Sequence, residues 1–154
     1  MKIVVLDGYS LNPGDLSWHG LAQYGELIVF DRTQAVDIVT RCQDAEIVIT
    51  NKTPLTANEI NQLPKLQYIG VLATGVNMVD LAAATAKQIC VTNVPAYGPD
   101  AVAQMVFAHI LHHYSQVALH HQAVQAGQWQ QQDDFCFTLA PLNSLKGKKL
   151  GIVG

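Results

Sequence analysis

The feature that most limits the fold of this chain is a pattern that recurs through its first 93 residues. A short, nearly unbroken apolar run is followed by a turn signal and then by a stretch with helical spacing. The runs are residues 2–7 (KIVVLD), 26–31 (ELIVFD), 45–50 (AEIVIT), 67–72 (QYIGVL) and 89–93 (ICVTN). Runs of this length that lack a polar-out alternation read as strands buried on both faces. The intervening segments supply the helices. Leu16, His19, Gly20 and Gln23 ride one of them, which ends near Gly25. Thr33 is placed to cap a second, carrying Val36, Ile38 and Val39, and residues 79–87 form an Ala-rich third. Thr56-Ala-Asn-Glu59 matches a capping box, in which each side chain satisfies the other's orphan amide at a helix start. Strand, helix, strand repeated in this way predicts a parallel sheet with helices on both faces. Ligands of such sheets lie beyond the carboxyl ends of the strands. The segments to watch are therefore Asp7-Gly8-Tyr9, Asn51-Lys52-Thr53 and residues 73–77.

The pattern changes after Asn93. Pro95, Gly98 and Pro99 make a hinge-like stretch, and Asp100 opens a helix expected to run to about Gly127. Val102, Met105, Val106, Phe107, Ile110, Leu111 and Val117 cover more than one stripe of it, so it should be covered on several sides. A Gln-rich stretch follows, then Phe135-Cys136-Phe137. The closing residues 145–154 (LKGKKLGIVG) read as a basic turn feeding a new buried strand.

Composition excludes several classes. The charged fraction of 14% is well below the ordinary level of about 25%, and 49% of residues are hydrophobic, which rules out a disordered chain. A net charge of −3 offers no general attraction for nucleic-acid backbones. No apolar run approaches the roughly 20 residues of a membrane span, and the apolar run after Lys2 is too short for a signal peptide. Cys42, Cys90 and Cys136 are odd in number and widely spaced, which suits reduced thiols in a cytoplasmic protein. His109 and His113 stand four apart with His120 seven further on. No Cys accompanies them and no HExxH supplies a base, so no metal site is expected.

Six motifs resemble, in order and spacing, the D-2-hydroxyacid dehydrogenase family, in particular its glycerate dehydrogenase/hydroxypyruvate reductase branch. They are Asn51-Lys52-Thr53; Val71-Leu-Ala-Thr-Gly-Val-Asn77 with Val79-Asp80; Thr92-Asn-Val-Pro-Ala-Tyr-Gly98; Ala101-Val-Ala-Gln104; Trp129 through Phe137; and Leu145-Lys-Gly through Gly154. The resemblance spans about the first half of such an enzyme. It implies an α/β architecture: a flavodoxin-like parallel-sheet substrate domain over residues 1–98, then a long interdomain helix and the first strand of a Rossmann domain over 99–154. Gly154 would be the first glycine of the phosphate-binding loop, and Val102 an apolar contact beside the nicotinamide ring.

The resemblance further implies a parent enzyme that uses NAD(H) or NADP(H) to reduce a small 2-keto acid, hydroxypyruvate first, or to oxidise the corresponding 2-hydroxy acid. Thr74, Gly75 and Val76 are the expected carboxylate-binding loop, because Gly75 permits backbone angles that turn successive amides toward an anion. Lys52 would add positive charge at the same crevice. The family's catalytic Arg, Glu and His find no counterpart in these residues, so the chain itself is expected to bind no cofactor and to be inactive. A homodimer paired through the long helix is expected. The competing reading is a self-contained flavodoxin-like binding or interaction module without redox chemistry.

Overall fold

The computed structural model describes residues 1–153, with no cis peptide bond among them. The chain divides into two compact units, Met1–Tyr97 and a second that begins at Gly98.

The first unit is built on five parallel strands, β1 (Lys2–Val5), β2 (Glu26–Val29), β3 (Ile47–Thr50), β4 (Tyr68–Val71) and β5 (Cys90–Thr92), in the order β2-β1-β3-β4-β5. Each strand lies inside one of the apolar runs. The helices are short: α1 (His19–Ala22), α2 (Ile38–Cys42), α3 (Ala57–Asn61) and α4 (Leu81–Ala86). They do not cover the two faces equally. One face carries the main core, where Val4, Leu6, Val48, Ile69 and Val71 meet Ile38 and Cys42 of α2, Ile60 of α3 and Ala84 of α4. The other face buries only Ile3, Val5 and Ile49, under Trp18 and Leu21 from the α1 region. The even two-sided cover expected from the repeat is thus thin on the α1 side. Helix α1 has a single turn, because it contains Gly20, its flanks hold Pro13, Gly14 and Gly25, and its N-cap makes no side-chain hydrogen bond.

Local chemistry sets the helix starts. The capping box at α3 is formed: Thr56 N–H donates to Glu59 at 2.9 Å, and Thr56 Oγ1 accepts from Asn58 N–H. That hydrogen bonding, from Thr56 first, holds the Glu59 carboxyl below its ordinary value. Asp80 caps α4 by accepting from Ala83 N–H at 2.9 Å. Thr33 caps nothing. Its hydroxyl donates to the Leu6 carbonyl at 2.6 Å and accepts from Arg41, tying the end of β2 to β1, and a 3-10 turn (Ala35–Asp37) precedes α2.

In the second unit the long helix is two helices, α5 (Pro99–Ser115) and α6 (Val117–Gln125). The break is at Gln116, whose φ of 47° is left-handed. Its amide side chain donates to the His113 carbonyl at 2.7 Å, offsetting a conformation that costs a non-glycine residue about 1 kcal/mol. No glycine or proline announces this break. The expected closing strand is absent: Gly151–Val153 are irregular, and Ile152 and Val153 are 88% and 101% exposed. A single strand has no neighbour to accept its backbone hydrogen bonds, so the apolar sequence alone does not make one. Gly154 lies outside the described residues.

Candidate functional site

The carboxyl end of the sheet is organised by one buried carboxylate. Asp7, just after β1, accepts hydrogen bonds from three successive amides after β3, those of Asn51 (2.8 Å), Lys52 and Thr53 (2.9 Å). Ser10 Oγ donates to the Asp7 carbonyl at 2.8 Å and accepts from Asn51 Nδ2 at 2.9 Å, while Thr50 Oγ1 donates to the Thr53 carbonyl. The turn carrying Lys52 is therefore fixed from beneath by charge-assisted bonds. The position of Asp7 at a strand end is visible in the sequence. Its service to a segment more than 40 residues away is not.

One strand further, the loop after β4 has a different character. Asn93 Nδ2 donates to the Thr74 carbonyl at 2.7 Å, Thr74 Oγ1 to the Val94 carbonyl at 3.2 Å, and Val94 N–H to the Ala73 carbonyl at 3.1 Å. These bonds pin the loop to the chain leaving β5. The backbone N–H groups of Thr74, Gly75 and Val76 find no acceptor among the described residues. Thr74 and Gly75 are exposed, whereas Val76 packs its side chain on the core. A run of open amides on a pinned loop is what a carboxylate needs. Gly75 achieves this without a left-handed backbone. A Cβ there would stand 3.0 Å from Asn77 Oδ1, so a larger side chain would displace that exposed amide.

Beside this loop is an apolar cavity of about 390 Å³, lined by Leu11, Leu16, Trp18, Leu72, Val94 and Tyr97 among others. Leu72 directly precedes the loop that carries the open amides. Nothing in the local sequence marks Leu16, Trp18 or Tyr97, because they meet only when the loops after β1, β4 and β5 converge.

The structure does not bring every candidate residue to one place. Thr74, Gly75 and Val76 are contiguous. Lys52, exposed on the neighbouring turn, lines a separate cavity with Arg32. Val102 belongs to the second unit and is 63% exposed in the first turn of α5. No three His, Cys, Asp or Glu side chains among the described residues converge on a metal position. His120 serves the packing of its own unit, where its Nε2 accepts from Leu139 N–H at 3.1 Å and its Nδ1 faces the Gln116 carbonyl at 2.9 Å. Burial pushes the Cys42 thiol up to about 12, whereas Cys90 and Cys136 are exposed.

The family model for the catalytic domain of D-isomer specific 2-hydroxyacid dehydrogenases matches residues 3–135. The chain belongs to this family. These dehydrogenases are oxidoreductases, and two relatives show where in the family the chain lies. It is 48% identical, over its whole length, to a hydroxypyruvate reductase of Blautia hydrogenotrophica, of which it covers 49%. It is 34% identical, over 99% of its length, to a glycerate dehydrogenase of Methylorubrum extorquens, of which it covers 48%. The chain thus spans about half the length of the curated relatives it matches.

Solved structures agree on the fold. A glyoxylate/hydroxypyruvate reductase from Sinorhizobium meliloti superposes with a TM-score of 0.67 at 23% identity, covering 95% of this chain and 44% of that one. The D-lactate dehydrogenase of Escherichia coli gives 0.65 at 23%, covering 82% and 42%. The α/β dehydrogenase substrate-domain fold is therefore shown. No helix among the described residues is long and apolar enough to cross a membrane.

Proposed function

We propose that this dehydrogenase-family chain forms the substrate-binding part of an NAD(P)-dependent reductase of small 2-keto acids, with hydroxypyruvate as the preferred substrate and D-glycerate as its reverse partner. The observation that carries this reading is the run of open amides at Thr74, Gly75 and Val76. A substrate carboxylate accepts from these donors, while the apolar cavity at Leu72 and Trp18 takes the carbon chain. The 48% identity to a hydroxypyruvate reductase supports the choice of substrate and favours the enzyme over a redox-free binding module. Residues 1–98 act as the substrate domain and residues 99–154 as the approach to a nucleotide-binding domain.

These 154 residues alone bind no cofactor and turn over no substrate. The protein works in the cytoplasm, in keeping with its unpaired thiols. It pairs as a homodimer through α5, where Met105, Phe107 and Leu111 are exposed.

The test is an amide-resolved NMR titration with hydroxypyruvate. Shifts concentrated at Thr74, Gly75 and Val76, and lost in Gly75→Val, support the reading. Shifts located elsewhere, or surviving in that variant, overturn it. Steady oxidation of NADH by the purified chain with hydroxypyruvate refutes the proposed inactivity.

A further inference from the structure

In the second unit, the chain that follows the helices is tied back to them at a single imidazole. Residues 133–142 form no helix or strand. Among the described residues, one hydrogen bond alone joins them to α5 or α6, from Leu139 N–H to His120 Nε2 at 3.1 Å. The next tie is from Asn143 N–H to the Tyr114 carbonyl at 3.3 Å. Phe137 packs on the same imidazole, with 6.2 Å between ring centres, and lies 6.5 Å from the Trp129 ring. Trp129 Nε1 in turn donates to the Phe135 carbonyl at 3.2 Å.

The direction of the Leu139 bond decides the protonation state of the ring. A backbone amide only donates, so Nε2 must carry a lone pair. In the neutral imidazole the proton is then on Nδ1, which donates to the Gln116 carbonyl at 2.9 Å. Both nitrogens are satisfied in this one tautomer. It joins the left-handed break between α5 and α6 to the segment that crosses them. A second proton, on Nε2, would set two donors against each other and cancel the Leu139 bond. Imidazoles ordinarily take up that proton near about pH 6.5.

The charged ring finds no compensation in this arrangement. The other titratable groups on the surrounding elements are His112, His113 and Tyr114 at the end of α5, His121 on α6, and Asp133, Asp134 and Cys136 on the segment. Asp133 and Asp134 are exposed, and no carboxylate among the described residues lies within ion-pair distance of the His120 ring. The neighbouring imidazoles can add only like charge.

We propose that His120 is a pH-sensitive latch: the neutral ring holds residues 133–142 to α6 through Leu139, and protonation releases them. With that bond gone, apolar contact alone keeps Phe137 in place. Release is local, because the tie at Asn143 ends on a backbone carbonyl that does not titrate. The device lies wholly within the second unit and is independent of the keto-acid loop.

NMR of the whole chain tests it. At about pH 8, long-range nitrogen–proton spectra should show the His120 proton on Nδ1, and a proton on Nε2 overturns the proposal. Between about pH 8 and pH 5, the exchange protection of the Leu139 amide, corrected for its intrinsic pH dependence, should fall about tenfold. The Trp129 indole resonance should shift over the same range, while protection at Asn143 stays constant. His120→Gln offers a neutral acceptor at the reach of Nε2, so Leu139 should stay protected throughout. His120→Phe keeps a ring without an acceptor, and protection should be low at both ends of the range. His113→Gln and His121→Gln should leave the response intact. A response that survives in His120→Gln, vanishes in His113→Gln or His121→Gln, or is absent from the native chain overturns the proposal. Circular dichroism verifies that each variant is folded, and the tautomer measurement needs no variant at all.

Discussion

The two units of this molecule both carry many apolar residues and bury them very differently. Among the described residues, nineteen of the twenty buried hydrophobic ones lie before Tyr97, and Ala123 is the single one beyond it. In the first unit a five-stranded sheet gives every apolar run two faces to fill. In the second, α5 has no buried residue, and Val102, Met105, Val106, Phe107 and Leu111 are all exposed. Burial is a property of what an element packs against, and two helices with a 3-10 turn (Trp129–Gln131) enclose too little volume to make a core of their own.

Substitutions that would break this contrast can be ranked. Ile69→Ala, on β4 between β3 and β5, should lower stability by about 4 kcal/mol in urea unfolding, since the cavity cannot collapse between the sheet and its packed helices. Asp7→Ala should lose about 3 kcal/mol, because it orphans three amides together, and hydrogen exchange should speed up at Asn51, Lys52 and Thr53. Equal exchange in that variant would show that the turn is held by packing alone.

Thr56→Ala should lose about 1 kcal/mol of α3 cap energy. That contribution also depends on pH. The folded Glu59 carboxyl sits below its ordinary value of 4.5, so its stabilisation is present above that value and is lost as pH falls through the lower folded one. In Glu59→Gln this acid-dependent part should vanish. Phe107→Ser should change stability by less than about 0.5 kcal/mol while reducing self-association in light scattering. A large loss of stability there would mean that the second unit has a core after all. Finally, a thiol reagent should modify Cys90 and Cys136 in the native chain and spare Cys42, whose burial keeps it protonated.

Much of the first unit is legible in the sequence. All five apolar runs contain a strand, and the capping box at Thr56 forms as its spacing implies, because both depend on local periodicity and on side chains three residues apart. Apolar spacing overstates the length of α1, since it ignores the glycines that shorten the helix. The break at Gln116 leaves no trace, because a side-chain amide satisfies the helix end without Gly or Pro. The closing run 150–153 carries strand-like composition, but a strand needs a neighbour that composition does not provide. At the site, the loop after β4 is legible and its partners are not. Motif order puts Lys52 in the same crevice, yet it opens on a different cavity beside Arg32.

The order of residues by itself determined where strands form, which loops end at the carboxyl edge and which family the chain resembles, because these follow from short-range periodicity and motif spacing. The tertiary structure alone decided that Asp7 props the turn at Lys52 and that Trp18, Leu72 and Tyr97 share a cavity. Those contacts join residues tens of positions apart, and their pairing is set by the strand order 2-1-3-4-5, which no local pattern encodes.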